Sequence, residues 1–250
     1  MSWLSKFIGG MVGLALGGPL GMIAGIAFAS VIDKAGRTQA PGYQSSLTRQ
    51  QQLFFVGSFS LLAHVAAADG EVTPSERQKV IEFIRRDLRL SYGEEELALR
   101  VFDAALTARQ SVEAIATQFY QGYWRDPAVL QLVVDICYRV ASADGRISKS
   151  EEAIIMRIER LFHFTDPIID AFHRRYGLAT SSLEHAYATL NLSPSATNEE
   201  IKRMYRKLSM EYHPDTLLSK GVGEEFLNAA TAKFREIQES YDQIKKERNL

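Results

Sequence analysis

The chain has 250 residues, 29 Lys and Arg against 30 Asp and Glu, and a formal net charge of −1. That balance argues against bulk nucleic-acid binding, which calls for a strongly basic surface. The single cysteine, Cys137, excludes an internal disulfide and a four-cysteine zinc site, and its neighbours Leu132, Val133, Ile136 and Val140 mark it as a buried, inert thiol.

Phe7 to Ile32 holds no charged residue. At ~1.5 Å per residue a helix of that length exceeds the ~30 Å hydrocarbon core, so residues 1–32 are expected to anchor the chain in membrane lipid. Gly9, Gly13, Gly17, Gly21 and Gly25 recur every four residues, a strip of the kind that pairs helices in lipid and predicts a homodimer through the anchor. Pro19 after Gly17-Gly18 keeps a second arrangement open, a re-entrant hairpin with both ends on one side. A secretory signal competes through Ala27-Phe28-Ala29, but only Lys6 precedes an apolar core that is too long and too rich in glycine. Lys34, Arg37 and Arg49 follow the segment, so the positive-inside rule predicts a single-pass inner-membrane protein with its later domains in the cytoplasm.

Residues 33–48, with Gly36, Pro41 and Gly42, read as a linker. Helical periodicity then fills 49–176, with helices expected over Phe54–Ala66, Glu94–Ala108, Ser111–Tyr123 and Leu130–Val140. This region repeats itself: Ala67-Ala68-Asp69-Gly70 through Glu76 aligns with Ser142-Ala143-Asp144-Gly145 through Glu151. The pattern is the second half of a calcium-binding EF-hand loop, but the early ligand positions fall on Val65 and Ala67, and on Val140 and Ser142. Capping accounts for more. Gly70 and Gly145 end one helix, and Thr73-x-x-Glu76 and Ser148-x-x-Glu151 open the next as capping boxes, with Pro74 at the first helical position. His64 and His163 read as packed or partly exposed rather than as ligands. The paired Asp-Gly turns resemble the TerB-like, tellurite-resistance type of helical domain. That resemblance implies Asp69, Glu76, Asp144 and Glu151 as the positions at which a divalent metal is to be tested.

A short joint, 177–182, leads to the last unit, 183–250. A short helix is expected over Leu183–Leu190. Ile201, Met204, Tyr205, Leu208 and Tyr212 form a helical stripe over Asn198–Tyr212, and Lys202, Arg203, Arg206 and Lys207 gather on the other face. Pro214 stops that helix, Thr216–Gly223 reads as a polar loop, and Phe226, Ala230, Phe234, Ile237, Tyr241 and Ile244 stripe a second helix. The two should pack as an antiparallel hairpin with His213-Pro214-Asp215 at its tip. His213 and Asp215 lack an accompanying nucleophile or metal-ligand spacing, so no catalytic role is expected.

Tyr205-Arg206-Lys207-Leu208, Tyr212-His213-Pro214-Asp215, Lys233-Phe234, Ile237 and Tyr241 resemble the J domain of DnaJ-type co-chaperones. Thr216 and Ser240 depart from that family, which usually has lysine and alanine there. The resemblance implies docking on a DnaK-type chaperone through His213, Pro214, Asp215, Lys202, Arg203, Arg206 and Lys207, and stimulation of its ATP hydrolysis. Anchor, TerB-like domain and J domain in this order resemble the DjlA type of membrane-anchored bacterial co-chaperone, whose members carry a longer connection before the J domain. The expectation is an all-α co-chaperone without cofactor or resident metal, whose TerB-like domain binds a client or regulator. The alternative is a metal or stress sensor in the TerB-like domain with the J domain as its output.

Overall fold

The computed structural model describes residues 16–34, 48–177 and 182–249, with the backbone alone for 29–34. Gly9, Gly13, most of the linker and the middle of the joint lie outside the described residues. All regular elements among the described residues are helical, as the all-α expectation requires.

Gly17 and Gly18 take left-handed backbone, with φ +62° and +58°. The chain therefore leaves helical geometry at Gly17 and restarts as α1, Gly18–Lys34, with Pro19 in its first turn. The uninterrupted helix expected over Phe7–Ile32 is thus broken, because two glycines tolerate positive φ and a proline prefers a helix start. The side chain of Gln118 fastens the break: its amide donates to Gly17 O at 2.9 Å and its oxygen accepts from Leu20 N at 2.9 Å. Leu20, Ile23, Ala24, Ala27 and Phe28 are buried against the helices that follow. Among the described residues no helix is long and apolar enough to cross a membrane.

Six helices build the next region: α2 (Arg49–Ala66), α3 (Pro74–Glu82), α4 (Tyr92–Thr107), α5 (Val112–Tyr123), α6 (Pro127–Ala141) and α7 (Lys149–Leu161), followed by α8 (Asp166–Tyr176). Capping boxes open α2 at Thr48, α3 at Thr73, α4 at Ser91 and α7 at Ser148, so both copies of the repeat start their second helix in the expected way. After α3 the chain widens into a π-helical turn, Phe83–Leu88, that Arg89 ends with left-handed backbone. Helix α2 is the centre, packed by α1, α4, α5 and α6. Its approach to α5 is close because two glycines remove the side chains between them. A Cβ on Gly57 would sit 2.3 Å from the Phe119 ring, and one on Gly122 would sit 2.1 Å from Leu53 Cδ2.

The last unit has α9 (Ser182–Thr189), α10 (Asn198–Glu211), α11 (Pro214–Ser219) and α12 (Leu227–Arg248). Helices α10 and α12 run antiparallel: Arg248 donates to Ala196 O beside the start of α10, while His213, past its end, meets Phe234. Midway, Tyr205 and Tyr241 stack at 3.9 Å. Helix α9 packs on α12 and on α8 rather than across the α10–α12 pair as expected, and one apolar core runs without a gap from α1 to α12.

Candidate functional site

Helix α10 owes its two faces to its spacing. Ile201 and Leu208 are buried and Met204 and Tyr205 half-buried, while Lys202, Arg203, Arg206 and Lys207 are all exposed. None of those four cations forms an ion pair among the described residues, so their field points outward. Thr197 and Glu200 cap the helix start reciprocally.

The chain then turns through His213. The stretch expected as a polar loop is in fact helix α11 over its first part. Pro214 ends one helix and opens another, since it lacks the N–H that a first helical position leaves unused. His213 stands at the N-cap, its Nδ1 accepting from Asp215 N at 3.3 Å, and its ring lies edge-on to Phe234 at 5.6 Å. The side chains of His213 and Asp215 are 49% and 88% exposed, so the carboxylate is open to a cationic partner beside a basic helix face. Six of the seven sequence-derived residues are exposed and Pro214 is half-buried, the four cations on α10 and the other three at the turn that follows it. Of the glycine strip, Gly21 is buried while Gly17 and Gly25 are exposed.

Sequence reasoning missed how this unit is fastened to the rest. Phe226 is fully buried among Phe54, Phe55 and Phe59 of α2, at centroid distances of 4.7, 6.4 and 5.8 Å. Nearby is a buried ionic cluster. Asp135 of α6 meets Arg175 of α8, Arg139 at 2.9 Å and Lys233 of α12 at 3.6 Å, and Tyr176 donates to it at 2.8 Å. Glu236 of α12 completes the cluster against Arg175 at 2.8 Å and Arg139 at 3.1 Å. Burial alone would raise Asp135, but the three cations outweigh it and hold the carboxyl well below its usual range. Burial, with Arg175 beside it, pushes Lys233 down to about 8. Two signals were available in the sequence. Asp135 is a lone charge in an apolar run, and Lys233 falls in register with Ala230 and Ile237.

The acidic turns are used locally. Gly70 and Gly145 have φ of +123° and +83°, and Glu76 and Glu151 close their capping boxes. Asp144 pairs with Lys79 of the other copy at 3.0 Å. Among the described residues no group of three or more His, Cys, Asp or Glu side chains is placed to hold a metal ion. His64 packs with its ring nitrogens against Ser60 O and Gln110 O, and burial pushes the Cys137 thiol up to about 12.

Comparison with known proteins agrees with this division. Residues 56–174 match the tellurite resistance protein TerB, 185–249 the DnaJ domain, and 1–49 the transmembrane domain of co-chaperone DjlA, which marks the amino-terminal segment as a membrane anchor. The Co-chaperone protein DjlA of Coxiella burnetii is 29% identical over the full length of both chains. Those of Vibrio cholerae and Vibrio parahaemolyticus are 30% and 31% identical, over 87% and 89% of this chain and 88% and 90% of theirs. No solved structure matches. With a relative of 31% identity aligned over 89% of the chain and three matched domains in the same order, the chain belongs to the DjlA family of co-chaperones.

Proposed function

We propose that the chain is a membrane-anchored co-chaperone whose J domain binds a DnaK-type chaperone and stimulates its ATP hydrolysis. The observation that carries this is the His213-Pro214-Asp215 set, with His213 and Asp215 exposed, after an unpaired basic helix face in a chain of the DjlA family. Lys202, Arg203, Arg206 and Lys207 steer an acidic surface toward the tip, and Asp215 accepts from a cation of the partner. The reading places the TerB-like and J domains on the cytoplasmic face, where ATP and such a chaperone reside, and has the TerB-like domain bind a client or regulator. The test is steady-state ATP hydrolysis by a DnaK-type chaperone with the full chain in detergent, against the same chain carrying His213→Gln. Stimulation that vanishes in the variant supports the reading; an equal effect from both chains, or none from either, sinks it.

A further inference from the structure

At the tip His213 and Asp215 are exposed and Pro214 half-buried, yet the backbone that carries them is tied down on both sides by the TerB-like domain. Before the tip, Tyr212 is buried, and its hydroxyl donates to Gln131 Oε1 of α6 at 3.2 Å. Asn191 Nδ2 donates to the same oxygen at 3.3 Å. After the tip, the Lys220 ammonium lies 3.4 Å from Asp126. The Tyr123 hydroxyl lies 2.6 Å from Gln50 O and 3.3 Å from Gly221 O. Gly221 has φ +88°, and a Cβ there would come within 2.5 Å of Gln50 Cβ, so the backbone is pressed against the start of α2. Phe226 then enters its aromatic socket. The strap from Tyr212 to Phe226 is thus held at four points by a different domain.

We propose that Gln131, Asp126 and Tyr123 of the TerB-like domain are positioning residues for His213-Pro214-Asp215. The inference rests on the co-chaperone reading above and extends it: the docking tip is built by two domains. A free strap would have to be ordered each time a partner binds, and that ordering weakens association. Here the helical domain orders it beforehand, so that Asp215 is held in place before a partner arrives. Tyr212, Leu217, Val222 and Phe226 bury the strap's apolar side in the core, and the variants below remove only polar groups beside them.

The experiment uses the full chain in detergent and three variants: Tyr123→Phe, Lys220→Met, and the charge swap Asp126→Lys with Lys220→Asp. Two quantities are read. One is hydrogen exchange of the amides of Asp215 to Val222. The other is the concentration of chain that gives half-maximal stimulation of the chaperone's ATPase, kept separate from maximal stimulation. Tyr123→Phe and Lys220→Met are expected to speed exchange in the strap and to raise the half-stimulating concentration roughly five- to tenfold, with the maximum unchanged. The charge swap is expected to return both toward the parent. A purely structural role would lower the maximum through lost folded protein and would not be rescued by the swap. Parent-like exchange and half-stimulation in both single variants overturn the proposal. If the parent chain itself gives no stimulation, the co-chaperone reading falls, and the exchange data alone decide whether the helical domain orders the strap.

Discussion

Asp135→Ala is the sharpest perturbation of the ionic cluster. The side chain is 2% exposed and faces Arg139, Arg175 and Lys233, with Glu236 as the other anion of the group. The intact cluster has three cations and two anions, and the substitution leaves three cations around Glu236 alone. Removing one partner of a buried pair costs about 3–5 kcal/mol, because the remaining charges stay desolvated without compensation. The control is Arg77→Ala, which breaks a bidentate but well-exposed pair with Asp103 and should cost no more than about 1 kcal/mol. The assay is urea unfolding in detergent of a Trp3→Phe background, followed by tryptophan fluorescence for Trp124 and by far-ultraviolet circular dichroism for all helices. Asp135 joins α6 and α8 to α12, so the two transitions should coincide in the parent and separate in the variant. A loss below about 1 kcal/mol, equal to that of Arg77→Ala, would refute the reasoning: the cluster would then be solvated like a surface network.

Gly57→Ala should destabilise by about 1–3 kcal/mol in the same assay, because its Cβ falls 2.3 Å from Phe119 and α2 and α5 must move apart; an unchanged midpoint would show that the ring yields freely. The pH profile should slope on both sides. Burial raises Glu159 to about 7 and Glu225 to about 8, so their contribution is full below the unfolded carboxylate range and is lost as pH climbs through those values. Asp135 and Glu236 are depressed, so theirs is present above that range and lost as pH falls through the native values. Glu225→Gln should flatten the alkaline slope by up to ~1.4 kcal/mol per pH unit, measured as unfolding midpoints from pH 5 to 8.5; a slope identical to the parent's would place Glu225 in water.

What could be read from the sequence was what local spacing controls. The duplicated Asp-Gly turns and their capping boxes came through because a cap involves residues three apart. The stripe and basic face of α10 came through because a helix period is short-range. Helix α11 was missed since Pro214 signals a stop and a start equally well, and Thr216-Leu217-Leu218-Ser219 is too short to show a period. The ties between domains were missed for a different reason. Gln131 and Tyr212 are 81 residues apart and Arg139 and Glu236 are 97 apart, and each looks like an ordinary member of its own helix. The burial of α1 could not be distinguished from lipid burial, because the same leucines, isoleucines and alanines suit either environment.

The aromatic socket also has a consequence for how the chain is made. Phe54, Phe55 and Phe59 lie in the first quarter of the sequence, and the ring that fills the space among them comes from position 226. Synthesis proceeds from the amino terminus, and domains begin to fold as they emerge. The early helices therefore emerge with an apolar recess that stays open until the segment around Phe226 has been made. A chain cut short before Phe226 lacks the ring that fills this recess, so the early helices depend on a residue far along the sequence for the closure of their own core.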